Sequence, residues 1–277
     1  MTKTKTISFT KIAGAGNDFI IINASRGMNY KKLAIAICNR TTGIGADGLL
    51  ILDSSHKTDY RMRIINADGS EAEMCGNGAR CLASYIIQTH KTKRLEFGME
   101  TLAGIIAAKI KNNKVSICLS EPKDYKPDVP IQILGRDITV HYIDTGVPHV
   151  VVFVNGLDNI DVQNIGQAIR THEAFAPRGT NVNFVEEIKP EMSAVRTYER
   201  GVENETKACG TGSVASAIIS FLQSNPQISE IRQAKRKVLT QSGEILDVSF
   251  DLKASHIQNV WLTGETHLIA TGKYFYA

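Results

Sequence analysis

Apolar and polar positions along this chain form short, frequently interrupted patterns, and most of them have the period of a β-strand. Residues 7–12 alternate apolar and polar as a half-buried strand does, and 19–22 form a short apolar run that reads as a second strand. Between them lies Gly14-Ala15-Gly16-Asn17-Asp18, which reads as a polar loop. Residues 30–39 carry the spacing of a short helix, after which 49–52 and 60–66 return to strand. Two stretches differ in kind: 79–87 and 213–222 are small or apolar almost all round. A helix of that composition must be buried on every side.

Each of these apolar helices follows the same punctuation, Cys75-Gly76-Asn77-Gly78 in one case and Cys209-Gly210-Thr211-Gly212 in the other, 134 positions apart (209 less 75). Further anchors keep nearly the same offset: Gly16 with Gly146 (130), Gly69 with Gly201 (132) and Thr101 with Thr240 (139). Collinear anchors at near-constant spacing indicate a duplicated unit. The expected fold is therefore α+β, with two pseudo-symmetric domains. Each would be a curved sheet or barrel of short strands around a central apolar helix, and an active site would lie in the cleft between them. Pro122, Pro127 and Pro130 break the pattern, so the boundary is set there: 1–122 and 123–265.

Composition narrows the function. With 277 residues, 43% hydrophobic and 22% charged, the chain has the balance of a globular protein. The start of the chain, residues 1–6, has charge but no apolar region after it, and no apolar run reaches bilayer length, so a cytoplasmic protein with no membrane partner is expected. Net charge is +4, and the basic cluster 232–237 has no interleaved aromatic residue, so it reads as a solvated edge or loop and not as a nucleic-acid surface. Gly43-Ile44-Gly45-Ala46-Asp47-Gly48 matches the dinucleotide fingerprint but leads into a strand-like run, where a Rossmann turn must open a helix. Five cysteines without a Cys-x-x-Cys pair argue against a disulfide scaffold or a closed zinc site, and no metal is expected.

Cys38, Cys81 and Cys118 lie in apolar runs and read as small buried hydrophobes. Cys75 and Cys209 read as reactive, because each stands at a helix N-terminus that favours thiolate and precedes glycines that let a ligand approach the backbone. Two thiols contributed by two halves suit inversion at a carbon bearing an acidic hydrogen. One removes the proton from one face while the other delivers a proton to the opposite face. The amides of Gly76, Asn77, Gly210 and Thr211 would donate to the substrate's carboxylate. Such a site needs no cofactor in principle.

The motifs now assembled resemble those of diaminopimelate epimerases: residues 9–19 with Asn17-Asp18, 42–48, 66–78, Pro148-His149, 179–184, and 198–201 with 208–212. The resemblance covers nearly the whole chain. It implies cofactor-independent interconversion of LL- and meso-2,6-diaminopimelate, on the route to lysine and cell-wall precursors, by a pair of cysteines. Carried over by position, Cys75 and Cys209 are the acid/base pair, and His149 and Glu199 tune them. Asn17, Asn66, Asn181, Glu199 and Arg200 bind substrate, with Arg200 gripping the distal carboxylate. It also implies that a C-terminal strand, within 266–277, returns to the first domain. The partners expected are a small amino-acid substrate and a second copy of the chain as a homodimer. Val147 and Gly48 depart from the family's usual asparagine and glutamine. A proline racemase-like enzyme for another amino acid is the nearest alternative. A thiol redox protein or an amino-acid-binding protein is the alternative from outside that class.

Overall fold

A computed structural model describes residues 5–90, 95–112, 114–254 and 256–276, so residues 1–4 of the N-terminal reading lie outside it. The chain divides into two compact units, Met1–Ile117 with Gly264–Ala277, and Cys118–Thr263. In the first unit the elements are β1 (Lys5–Gly14), β2 (Asn17–Asn23), α1 (Tyr30–Ile37), β3 (Gly48–Asp53), β4 (Tyr60–Asn66), β5 (Glu71–Ala72), α2 (Gly76–His90), β6 (Glu96–Thr101), β7 (Gly104–Lys111) and β8 (Lys114–Cys118). The C-terminal strand His267–Tyr276 pairs antiparallel with β1. Strand β2 runs antiparallel to β1 and parallel to β3, β4 is antiparallel to β3, and β6 is parallel to β4 and antiparallel to β7.

The second unit repeats this plan. Its elements are β9 (Lys123–Ile133), β10 (Arg136–Asp144), β11 (Pro148–Phe153), α3 (Val162–Arg170), β12 (Asn181–Lys189), β13 (Met192–Glu199), β14 (Asn204–Thr206), α4 (Gly210–Ser224), β15 (Glu230–Thr240), β16 (Ile245–Lys253) and β17 (His256–Gly264). Pairings β10–β11, β11–β12, β12–β13, β13–β15 and β15–β16 are antiparallel, parallel, antiparallel, parallel and antiparallel. That is the order and polarity of β1 through β7. Strand β9 lies on β10 as the C-terminal strand, β18, lies on β1. The sheet is not closed, so of the two expected forms it is the open sheet and not the barrel.

The duplication extends to side chains. Arg63 grips Glu71 through Nε at 2.7 Å, tying β4 to β5, and Arg196 grips Glu205 at 2.7 Å, tying β13 to β14. Each pair precedes its cysteine and fixes the hairpin that leads into it. The N-caps also match: Asn29 accepts from the Lys32 amide, and Asp161 from the Asn164 amide. Helix α2 packs on β1 to β4 and β7, and α4 on β10 to β13, β15 and β16. Enclosure on this scale explains why α4 is buried continuously from Gly212 to Phe221.

Several expectations change. Pro127 and Pro130 do not interrupt the strand pattern but lie inside β9: the strand is mostly exposed and its pairing with β10 shifts register twice, which accommodates residues that have no N–H to give. The loop at 14–18 shrinks to a two-residue hairpin turn, with Ala15 and Gly16 at φ 51° and 80°, while Asn17 and Asp18 belong to β2. The basic cluster belongs to β15, and Arg236 is turned inward to Glu187 because alternation along a strand sends every second side chain to the core. Cys38 and Cys81 are buried as expected, but Cys118 is only half-buried.

Candidate active site

Both cysteines cap helices through sulfur. The Gly78 amide donates to Cys75 Sγ at 3.4 Å, and the Gly212 amide donates to Cys209 Sγ at 3.4 Å. A thiol stands where serine or aspartate usually does, at the positive end of a helix of fifteen residues. Each sulfur thus receives an amide hydrogen at a helix start, where the backbone dipoles favour negative charge. Cys38 shows the opposite regime: burial, with Asp18 and Asp47 nearby, pushes its thiol up to about 12.

The groups described at the start of α2, after Cys75, include amides and hydrocarbon. Asn77 is buried; its Nδ2 donates to Asn17 Oδ1 at 2.8 Å, and its Oδ1 accepts from the buried Arg80 at 2.8 Å. Asn17 in turn donates to Asp47 at 2.8 Å, and Arg40 bridges Asp47 and Asp18 at 2.6 and 2.7 Å. Lys11 and Arg40 hold the Asp18 carboxyl below its usual range, against the opposing effect of burial. Asn66 is exposed and donates to Ser70 Oγ at 3.0 Å. Phe19 and Leu50 lie beneath the helix start, within 3.2 to 3.6 Å of where a Gly78 side chain would begin. At Gly48 an added Cβ would meet the Ile65 carbonyl at 3.1 Å, so the glycine suits this backbone.

Around Cys209 the corresponding strand positions are polar. His149 is fully buried, at the start of β11 and not in a surface loop, which is how a lone histidine after proline would otherwise read. Its Nε2 lies 2.9 Å from Thr211 Oγ1 and its Nδ1 3.1 Å from Asn183 Nδ2. Thr211 Oγ1 is 3.5 Å from Cys209 Sγ. Burial, and then the Arg200 charge, push the imidazole down to about 3, so it is neutral at any physiological pH. Thr145 ties down the Thr211 carbonyl at 3.1 Å.

Asn181 is buried and spends its amide on the frame: Nδ2 donates to the Pro148 carbonyl at 3.1 Å, and Oδ1 accepts the Arg200 amide at 2.8 Å. It therefore fixes the loops bearing His149 and Arg200. The Arg200 guanidinium is half-exposed and anchored by one nitrogen to the Arg178 carbonyl at 2.9 Å, which leaves its other donors for a ligand. Burial raises the Glu199 carboxyl. Within the first unit the structure gathers Cys75, Gly76, Asn77 and Asn17. Within the second it gathers Cys209, Gly210, Thr211, His149, Asn181 and Arg200.

Sequence reasoning missed Asn183, Thr197, Arg80 and Asp47. Asn183 was findable, since a second asparagine in an otherwise apolar strand, two positions after Asn181, must face the same side.

The model of the family described as diaminopimelate epimerase matches residues 9–122 and 141–258. The diaminopimelate epimerase of Aquifex aeolicus is 38% identical over 96% of this chain and 97% of its own. That of Caldanaerobacter subterraneus is 43% identical over 77% and 84%. Among solved structures, a phenazine biosynthesis protein of the PhzF family from Bacillus anthracis superposes with TM-score 0.73 at 16% identity, covering 99% of each chain. A hydroxyproline epimerase from Agrobacterium vitis gives 0.67 at 14%, covering 98% and 92%. The last two speak for the fold alone, whereas the family model and the curated relatives span both units and both cysteine-capped helices: the chain belongs to the diaminopimelate epimerase family.

Proposed function

We propose that this enzyme interconverts LL- and meso-2,6-diaminopimelate with Cys75 and Cys209 as paired acid and base. The observation that carries the reading is the repeated cap: in a chain of this family, two sulfurs occupy the N-cap of two corresponding buried helices. A free cysteine thiol has a pKa of about 8.5, near enough to neutral for a helix terminus to populate both protonation states. One thiolate takes the α-hydrogen as the other thiol gives its own to the opposite face, and the reverse reaction exchanges the roles. This requires both sulfurs to reach one carbon. Backbone amides at the helix starts, from Gly76 and Asn77 and from Gly210 and Thr211, take the α-carboxylate and the charge that builds on it. Arg200 takes the distal carboxylate, while Asn17, Asn66 and Glu199 complete the substrate's polar contacts. The protein works in the cytoplasm as a homodimer in this reading, which fractionation and sedimentation can check.

The test is incubation with LL-diaminopimelate in heavy water with no added cofactor. Meso product carrying one deuterium at the inverted carbon is expected, with lysine a poor substrate because it lacks the distal carboxylate. Activity that a carbonyl reagent abolishes and pyridoxal phosphate restores would overturn the mechanism. Equal rates on lysine would overturn the substrate.

A further inference from the structure

The donors behind Cys209 can be assigned a direction. Asn183 Nδ2 lies 2.9 Å from the Val150 carbonyl, which can only accept, and Asn183 Oδ1 accepts from Thr197 Oγ1 at 3.0 Å. The amide is thereby oriented with nitrogen toward His149 Nδ1, at 3.1 Å. Nδ1 must accept. A neutral imidazole that accepts at Nδ1 carries its hydrogen on Nε2 and donates it to Thr211 Oγ1, 2.9 Å away. With a lone pair of its oxygen occupied, Thr211 has one hydrogen left to place, and Cys209 Sγ stands 3.5 Å away.

We infer that Thr211 is a positioning residue whose hydroxyl, oriented by His149 and Asn183, donates to the Cys209 thiolate and holds Cys209 in its basic form. The inference rests on the proposed function for its catalytic meaning, but the hydrogen-bond chain itself does not. No proton has to travel along it; each donor only fixes the next. Asn77 occupies the matching place after Cys75, has no hydroxyl, and is held by Asn17 and Arg80. The chain is therefore built in one unit and not duplicated in the other.

Charged groups on the elements around this helix start are few. Arg200, after β13, acts on His149. Glu199 ends β13, Lys207 precedes the cysteine, and Asp144 on β10 is paired with Arg178 at 3.3 Å. Arg236 and Glu187 lie beside Ser193, which touches Ser220, nine residues or about 13 Å further along α4 than Thr211. Thr211→Val leaves each of these groups in place, so the Thr211 contribution is separable.

The experiment measures iodoacetamide alkylation of the intact, substrate-free protein against pH, quantifying the Cys209 and Cys75 peptides separately by mass spectrometry. Thr211→Val should raise the Cys209 midpoint by about one unit, slowing its alkylation about tenfold at neutral pH, and Thr211→Ser should restore it. The Cys75 midpoint should stay where it is, which reports that the fold is intact. A Cys209 midpoint unmoved in Thr211→Val overturns the inference. Should that variant not fold, the wild type decides by nitrogen NMR of its histidines: hydrogen on Nε2 of His149 is required, and hydrogen on Nδ1 overturns the chain. Because no substrate is used, a protein that lacks epimerase activity yet shows the shift refutes the proposed function and leaves this inference standing.

Discussion

The two helix starts have the same backbone and the same sulfur cap, yet the strands beneath them have parted in chemistry. In the first unit Phe19 and Leu50 underlie the cysteine turn; in the second, the register-matched positions on β11 and β12 hold His149 and Asn183. Packing explains why a change there spreads no further. Phe19 and Leu50 pack against the glycine three residues beyond Cys75, Asn183 against the one three residues beyond Cys209, and each unit keeps its supporting ion pair, Arg63–Glu71 or Arg196–Glu205. A duplicated frame can thus hold two like thiols in unlike settings, one against hydrocarbon and tightly held amides, the other against an oriented hydroxyl.

The strongest test of the likeness is to remove each thiol. Cys75→Ser and Cys209→Ser should each lower the rate of diaminopimelate epimerisation by about 10² to 10⁴, the usual contribution of a positioned acid or base. Loss in one variant but not the other would break the symmetry and leave a one-base enzyme.

The pH response should belong to the second unit. His149 is neutral in the folded state, with its pKa depressed to about 3, against about 6.5 unfolded. Between those values the unfolded chain binds a proton that the native one does not, so stability is full above about 6.5 and falls with pH toward 3. The slope from this residue is at most about 1.4 kcal/mol per unit. His149→Phe, which copies the residue at the matching place in the first unit, should flatten urea-unfolding stability over that window. His141, also depressed by burial, and toward the acid end carboxyls held below their usual range, such as Asp18 and Glu71, would supply the slope that remains. An unchanged slope in the variant would show that His149 is not the group being protonated.

Much of this was legible in advance because duplication writes itself twice. Cys75 and Cys209, each followed by Gly-x-Gly and an apolar helix, marked the two sulfur-capped helix starts from spacing alone. What alternation could not convey was which polar side chains face inward. Arg236 and Asn183 are buried against partners far along the chain, Glu187 for the first and His149 and Val150 for the second, and a single sequence does not display those partners. Helix α3 was missed although Asp161 and the spacing of Val162, Ile165 and Ile169 announce it. The prolines of β9 misled for a related reason. Proline forbids a hydrogen bond and not a strand, and whether the missing N–H matters depends on which side the neighbour lies.

The glycines of the two motifs separate the units by shape. At Gly212 an added Cβ would overlap Asn183 Oδ1, whereas at Gly78 it would stand 3.2 Å from Leu50 Cδ2, the mobile end of an aliphatic chain. Gly212→Ala should therefore lower stability by about 1 to 3 kcal/mol, while Gly78→Ala should lower it less. Paired denaturation curves measure the difference, and equal losses would mean that Asn183 moves aside as easily as leucine.

The smallest effect is expected at the rim of the first unit. Arg40 bridges Asp18 and Asp47, but its side chain is 59% exposed, and solvent weakens such pairs to about 1 kcal/mol or less. Arg40→Ala leaves Asp18 with Lys11 at 3.0 Å and leaves Asp47 its bond from Asn17, so the amide chain reaching Asn77 keeps its anchor. Stability should fall by under about 1 kcal/mol, and 1 M salt, with its Debye length of about 3 Å, should erase most of the difference from the wild type. Cys75 alkylation should change less than Cys209 alkylation does in Thr211→Val, because Arg40 reaches the helix start only through Asp47, Asn17 and Asn77. If Arg40→Ala instead moved the Cys75 midpoint by a full unit, the first unit would have a directed chain of its own. The contrast drawn between the two helix starts would then fail.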